Sequence, residues 1–439
     1  MKSFRMLQIA MAAGIVFSAP VQAQNLLDVY DSARAFDASY QSVRSQLEAT
    51  VARADQARAG LLPNVNLGVS GSRSQLDSSV RIPNPAFGAL SGVITATQPL
   101  YRPVNRIALA QAQKTIIAAQ AQLQAAEQDL VVRVSQAYFD VLAAQDALAF
   151  VGALKTAVSE QLASAKRNFE VGTSTITDTR EAQARYDLVV AQQIAAENDL
   201  RVKKLTLDQL VGRQDTVPKP LAAPVVLPPL VPADVNSWVN QALDDHPALR
   251  QSAVALEVAQ LETARAQAGH LPTLDLTGSV GKAFNDGSST ARVDNQTRSA
   301  TVGFAFNLSL YAGGSVQNRV REALALEDKA RTDLEVVRRS VSQNTRTAFF
   351  GVSSGQGQVK ALEAAEASSQ SALDANKLGY QVGVRINIDV LNAQSQLFQT
   401  KRDLAKARYD VLVGGLRLRQ ANGTLTPEDL LAINSLLVK

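Results

Sequence analysis

Between Val302 and Leu310 the apolar residues fall on every second position. Val302, Phe304, Phe306, Leu308 and Leu310 alternate with Gly303, Ala305, Asn307 and Ser309. A period of two puts one set on each face of a strand, which predicts a strand with one apolar and one small or polar face. Val65, Leu67 and Val69 against Asn64, Asn66, Gly68 and Ser70 repeat the pattern earlier in the chain. Elsewhere the period lengthens. Leu109, Ile116, Leu123 and Leu130 stand seven apart, as do Val390, Leu397, Leu404, Val411 and Leu418. Sustained sevens predict helices packed as coiled coils, and alanine clusters such as Ala118-Ala119-Gln120-Ala121 let them approach closely. Residues 103–169 hold no internal proline, so they predict a single rod about 100 Å long.

The pattern is written twice. At an offset of 209, Ala57, Gly60, Leu62, Pro63 and Leu67 match Ala266, Gly269, Leu271, Pro272 and Leu276. At 211, Ala137, Phe139, Val171, Gly172, Asp178, Gln183 and Gly212 match Ala348, Phe350, Val382, Gly383, Asp389, Gln394 and Gly423. Each copy reads helix, hairpin, long helix, return helix. The first spans 24–215, with a hairpin at 63–101, a long helix at 103–169 and a return helix at 177–211. The second spans 236–423, with a hairpin at 272–311, a long helix at 314–380 and a return helix at 388–422. Pro63 and Pro272 mark the helix-to-strand breaks. Residues 216–235 carry six of the chain's 15 prolines and predict an extended connector, whose valines and leucines suggest that it packs along something. Residues 424–439 remain as a C-terminal segment, expected at the middle of the rod.

At the start, Lys2 and Arg5 precede an apolar stretch, Ile9 to Phe17, and then Val21-Gln22-Ala23. That order predicts a secretory signal over 1–23, and Gln24 in place of a cysteine predicts no lipid anchor. Forty-four basic and 40 acidic side chains leave +4, which gives no reason to expect a nucleic-acid partner. The chain has no cysteine and only two histidines, His246 and His270, so disulfide frameworks, thiol chemistry and a histidine metal site are not expected. No nucleophile–base–orienter set stands out; the reading is of a protein without catalytic residues or cofactors. Beyond the N-terminus no continuous apolar run approaches the ~20 residues of a spanning helix.

Strands of about ten residues are long enough to cross a membrane when tilted. Four of them cannot close a barrel, since about eight is the smallest workable number, and they would leave raw edges. Several chains must supply the rest, and three would give twelve strands. The predicted class is therefore an α+β membrane protein: long antiparallel coiled-coil helices joined to a β-barrel to which each chain gives four strands.

The residues then resemble the TolC family of outer-membrane channel-tunnels, over essentially the whole chain after the signal. The resemblance rests on the duplicated unit, on Leu310-Tyr311-Ala312-Gly313-Gly314 leaving the second hairpin, and above all on the stretch Tyr380-Gln-Val-Gly383-Val-Arg385-Ile-Asn-Ile-Asp389-Val-Leu. Phe169-Glu-Val-Gly172 through Ile176-Thr177-Asp178 is its counterpart in the first copy. The resemblance implies a homotrimer, with a twelve-stranded β-barrel joined to a helical barrel, in the outer membrane of a Gram-negative bacterium, with a large periplasmic portion. It implies a passive exit duct for multidrug efflux or type I secretion. Its implied partners are outer-membrane lipid, a periplasmic adaptor (membrane fusion protein) and an inner-membrane transporter of the ABC or RND type.

The resemblance also implies site residues. Thr177, Asp178, Tyr380 and Arg385 match a polar network that holds the periplasmic mouth closed. Asp389 matches an inward-facing carboxylate, which threefold symmetry would make a ring. Asn392 stands where some members carry a second Asp, so a weaker ring and less block by multivalent cations are expected. The residues themselves allow blander roles. Gly172 and Gly383 can be C-terminal caps at the hairpin tips, Asp178 a capping-box carboxylate after Thr175, and Arg385 a local partner of Asp389. Tyr101 and Tyr311 are expected at the ends of strands, as membrane-boundary aromatics. His246, aligned with Asp37, is expected to mark the turn into a helix. The competing reading is a periplasmic or surface coiled-coil scaffold or adhesin without a pore. An adaptor is a third, disfavoured by two hairpin units and no evident small β-domain.

Overall fold

A computed structural model describes residues 23–438. The expected signal, 1–23, falls almost wholly outside the described residues. Two helices open the chain, α1 (Leu26–Phe36) and α2 (Ala38–Ala59), followed by strands β1 (Asn64–Gln75) and β2 (Ala86–Tyr101). The rod α3 (Pro103–Glu170) and its return α4 (Ile176–Val211) complete the first copy. The second copy repeats this as α5 (Val235–Asp245), α6 (Pro247–Gln267), β3 (Thr273–Asn285), β4 (Asn295–Asn307), α7 (Ser315–Gln381) and α8 (Asn387–Ala421). A short α9 (Asp429–Asn434) lies in the tail. The rods have 68 and 67 residues, so each runs about 100 Å at 1.5 Å per residue.

The strands form one antiparallel sheet in the order β1-β2-β3-β4, with β1 and β4 as open edges. Register puts the apolar positions in line across it. Leu67 lies opposite Ile94, Ile94 opposite Val280, and Val302 is two residues on from Ala300, the partner of Val280. This face meets nothing within the chain: Leu67 is 71% exposed, Phe304 72% and Val302 80%. The opposite face carries Ser70, Thr95, Ser279, Thr301 and mostly small or amide neighbours, with Phe87 and Val93 the larger apolar ones. Its one charged side chain within the strands, Asp275, is neutralised by Arg102 through two hydrogen bonds of 2.6 and 2.8 Å.

The helices make a wall four wide. Toward the strands α3 lies between α2 and α6, and α6 lies against α7; away from them α3 lies between α4 and α8, and α8 lies against α7. Val390, Leu397, Leu404, Val411 and Leu418, the seven-step residues of α8, are all buried between neighbours. The corresponding steps of α3, Leu109, Ile116 and Leu123, are only half-buried, because they fall where one chain covers the rod less completely. Although no continuous apolar run was expected there, an 18-residue window of α3 reaches a mean hydropathy of 1.4, apolar enough to cross a membrane by composition alone. Its helix nevertheless belongs to the wall.

The largest core sits midway along the rods. Leu26, Val29 and Tyr30 of α1 meet Leu130 to Leu142 of α3, Leu207 of α4, Leu412 and Leu416 of α8, and Leu430 and Ile433 of α9. Phe139 stacks on Tyr409 with centroids 5.6 Å apart. The proline-rich connector closes over this belt. Gln24 N–H donates to the Val217 carbonyl at 2.8 Å, Val438 N–H to the Pro220 carbonyl at 2.9 Å, and Trp238 Nε1–H to the Pro232 carbonyl at 2.8 Å. The tail and the connector are thus tied to the middle of the rod.

Both copies break their opening helix at the belt. At Asp37 the carboxylate caps α2, accepting the Tyr40 N–H at 2.8 Å, and takes a two-pronged contact from Arg133 at 2.9 and 3.2 Å. Those donors hold its pKa below the usual carboxylate range, the Arg133 hydrogen bonds most of all. At the matching break His246 Nδ1 accepts the Ala248 N–H at 3.1 Å, and burial keeps the imidazole neutral by pushing its pKa down. Each return helix ends in a left-handed glycine against the break of its own copy. A Cβ on Gly212 (φ +71°) would strike the Phe36 ring, and one on Gly423 (φ +83°) would meet His246 Cα at 2.6 Å. Replacing Asp37 by Ala removes the cap and the buried carboxylate beside Arg133, which keeps only Asp129; a loss of about 2–4 kcal/mol is expected in detergent denaturation, against about 1 for Asp37→Asn.

Candidate functional site

The two hairpin tips, α3–α4 and α7–α8, lie at the end of the wall far from the strands. Each rod ends in a glycine turn: the Thr173 N–H reaches back to the Asn168 carbonyl at 2.8 Å, and the Val384 N–H to the Gly379 carbonyl at 2.9 Å. Gly172 (φ +78°) and Gly383 (φ +80°) occupy the left-handed position, with nothing within 4 Å of an added Cβ. Conformation, and not space, requires glycine there.

Beyond the turns the copies diverge, and the divergence sets the electrostatics. In the first copy Thr175 caps α4, and one oxygen of Asp178 accepts from Ser174 Oγ at 2.6 Å, Thr175 Oγ1 at 2.9 Å and Thr175 N at 3.0 Å. Those donors, Ser174 first, hold the Asp178 pKa below the ordinary carboxylate range. At an offset of 211 the same positions are Arg385, Ile386 and Asp389. Isoleucine offers no hydroxyl. Asp389 is left with the Ile386 N–H at 3.5 Å and Arg385 Nη1 at 3.8 Å. One carboxylate is saturated by its own loop, and the other is loosely held and partly open to solvent.

The four residues expected to form one network do not come together within a chain. Tyr380 accepts from Asn168 Nδ2 at 3.1 Å, which ties α7 to the end of α3. Arg385 stays with Asp389, Asp178 with its cap, and the exposed Thr177 makes no side-chain hydrogen bond among the described residues. Asn392 is exposed on α8, three residues after Asp389. Three contributors were missed from the sequence. Asn168 is the partner of Tyr380. Gly379 leaves room for the Arg385 side chain, whose Cγ would lie 2.6 Å from a Cβ there. Arg185 donates to Ser395 at 2.5 Å and ties α4 to α8. Aligning the copies against each other could have found the first two, since Asn168 and Gly379 are equivalent positions, as are Phe169 and Tyr380.

At the other end of the chain, Pro63 and Pro272 stand directly before the first residues of β1 and β3, where a missing N–H costs the ladder nothing. Tyr101 is the last residue of β2, opposite Leu274 on the apolar face. Tyr311 does not end a strand: β4 stops at Asn307, and Tyr311 lies four residues further on in an exposed turn before Gly313 and Gly314. Among the described residues no group of three or more His, Cys, Asp or Glu is poised to hold a metal.

Comparison with known proteins agrees with this architecture. Residues 29–213 and 238–424, the two copies, both match the outer membrane efflux protein family. The chain belongs to that family. The outer membrane protein TolC of Vibrio cholerae is 32% identical over 99% of this chain and 98% of its own length. The alkaline protease secretion protein AprF of Pseudomonas aeruginosa is 31% identical over 93% of this chain and 86% of its own. The Campylobacter jejuni CmeC outer membrane channel shares the fold with a TM-score of 0.79 at 16% identity, covering 99% of this chain and 98% of that one. As a member of this family the chain is an outer-membrane exit duct for efflux or type I secretion, with its helical wall in the periplasm; its relatives are channel and transport proteins.

The depressed Asp178 pKa fixes the sign of a pH effect. Its stabilisation of the first tip is fully present above the ordinary carboxylate value and is lost as pH falls through the lower folded value. Protection of the amides of residues 173–179 against hydrogen exchange, corrected for the intrinsic pH dependence of the rate, should therefore hold down to about pH 4 and fall below it. In Asp178→Ala that protection should be low at neutral pH as well.

Proposed function

We propose that three copies of this chain, β1 of one paired with β4 of the next, close a twelve-stranded barrel above a twelve-helix tunnel and form a passive exit duct. The observation that carries this reading is the sheet itself, apolar and exposed on one face, Ser-, Thr- and Asn-rich on the other, and unpaired at both edges. Such a sheet satisfies its backbone in a membrane only when closed, with lipid outside and water within. Its inner face carries no free charge, so the barrel does not sort cargo by charge, and selection falls to the hairpin tips.

There the loosely held Asp389 of each copy supplies a ring of three carboxylates, which attracts cations. The neutral Asn392 beside it keeps that ring weak. The Asn168–Tyr380 bond and the Arg385–Asp389 pair hold the tips together, and opening is a population shift biased by whatever docks on them. A periplasmic adaptor and an inner-membrane transporter of the ABC or RND type fit that role. The relationship to AprF favours protein cargo among the candidates, and the pump sets the choice.

Single-channel recording in planar bilayers tests this. Arg385→Ser combined with Tyr380→Phe should raise conductance severalfold over the parent, and unchanged conductance would mean these residues only finish their helices. In the same recordings Asn392→Asp should strengthen block by cobalt severalfold.

A further inference from the structure

The lipid-facing side of the sheet is apolar up to one rung. Counting along β4 from Phe306, the outward positions run Phe304, Val302, Ala300 and then Arg298, eight residues or about 27 Å along the strand. With the tilt of a barrel strand that distance approaches the ~25 Å apolar band of an outer-membrane barrel, so Arg298 stands at its outer border. Directly opposite Arg298 on β3 is Lys282. Two cations facing each other across a pair of strands repel, and such a pair is destabilising unless something anionic lies between them.

The chain supplies no such anion. Among the described residues neither Lys282 nor Arg298 has a carboxylate within ion-pair distance or a side-chain hydrogen bond. The nearest acids toward the tip are occupied or removed: Asp286 receives the Gly88 N–H, and Asp294 lies beyond β4. Lys282 instead rests its ammonium 4.5 Å from the centroid of the Phe284 ring, which fixes it upright on the outer surface. On its other side the same rung holds Gly92, where an added Cβ would meet nothing within 4 Å. The rung therefore reads Val69, an open notch at Gly92, Lys282 and Arg298.

We propose that Lys282 and Arg298 clamp the phosphate of an outer-leaflet lipid, its headgroup seated in the Gly92 notch and its chains on Val280, Ile94 and Val302. The arginine offers a planar two-pronged donor and the lysine a point charge, and one phosphate relieves their mutual repulsion. Height at the membrane border, paired cations and an apolar slope below them all select a phosphorylated amphiphile over a soluble anion. This rests on the sheet face being the lipid face of the barrel.

The test uses the full-length protein in neutral detergent, with thermal unfolding followed as phosphatidic acid, diacylglycerol or inorganic phosphate is added. The parent should gain about 3 °C or more with phosphatidic acid and nothing with diacylglycerol. Lys282→Gln with Arg298→Gln should lose that gain while starting from an equal or higher midpoint, since the repulsion is gone. Exchanging the two residues, Lys282→Arg with Arg298→Lys, should retain it. A gain of the same size in the Gln variant, or with inorganic phosphate alone, would overturn the proposal. Ion conductance from the same preparations reports on the barrel itself, so a conducting barrel that gains nothing from phosphatidic acid contradicts the clamp alone.

Discussion

Everything in this chain follows from a wall that does not close. The sheet has two raw edges and a lipid-type apolar face, and the helices continue it as a layer four wide with its outer members, α2 and α4 on one side and α7 on the other, uncovered. Exposed Leu67, Phe304 and Val302 are unfavourable in water, and unpaired backbone at an edge is unfavourable in lipid. On the proposed assembly the chain acquires its stability and its function in the same step, when copies meet edge to edge. Long rods make that step geometrically strict, because a small angular error at the belt becomes a large displacement about 50 Å away at the tips.

The belt answers that strictness. Around Tyr138, whose hydroxyl lies 3.0 Å from the carbonyls of both Gln24 and Lys219, the start of the chain, the connector and the tail converge on the midpoint of α3. Each opening helix is broken there by a capping side chain, and each return helix ends there on a left-handed glycine. The device is duplicated while its chemistry is not: Asp37 with Arg133 in one copy, a half-buried His246 in the other. Backbone geometry has persisted through the duplication more faithfully than the side chains that produce it.

Most of the architecture was legible because it rests on periodicity. Alternation marked the strands, sevens marked the rods, and Gly60, Pro63 and their partners marked the breaks, since glycine and proline both disfavour continuing a helix. The break at Asp37 was less visible than that at His246, where Pro247 follows: the residues around Asp37 favour helix on both sides, and the capping carboxylate is held by Arg133 from a distant part of the sequence. The end of β4 was read too far, because Leu308 and Leu310 keep the alternation after the partner strand β3 has run out at Thr273.

The tips were legible as turns and only partly as a network. Gly172 and Gly383 announce themselves through sequence alone. The different fates of Asp178 and Asp389 depend on whether positions 174 and 175, or 385 and 386, offer hydroxyls, a distinction that emerges when the copies are compared with each other. The Asn168–Tyr380 contact spans 212 positions and could not be read from either copy alone.

Closure by siblings is the central claim, and the absence of cysteine from the chain makes it directly measurable. One engineered cysteine at Ser70 on β1 and one at each of Ser299, Thr301 or Gly303 on β4 should, in one register, oxidise to a covalent ladder that stops at three chains. A ladder that stops at two, continues past three, or never forms in membranes would contradict the account.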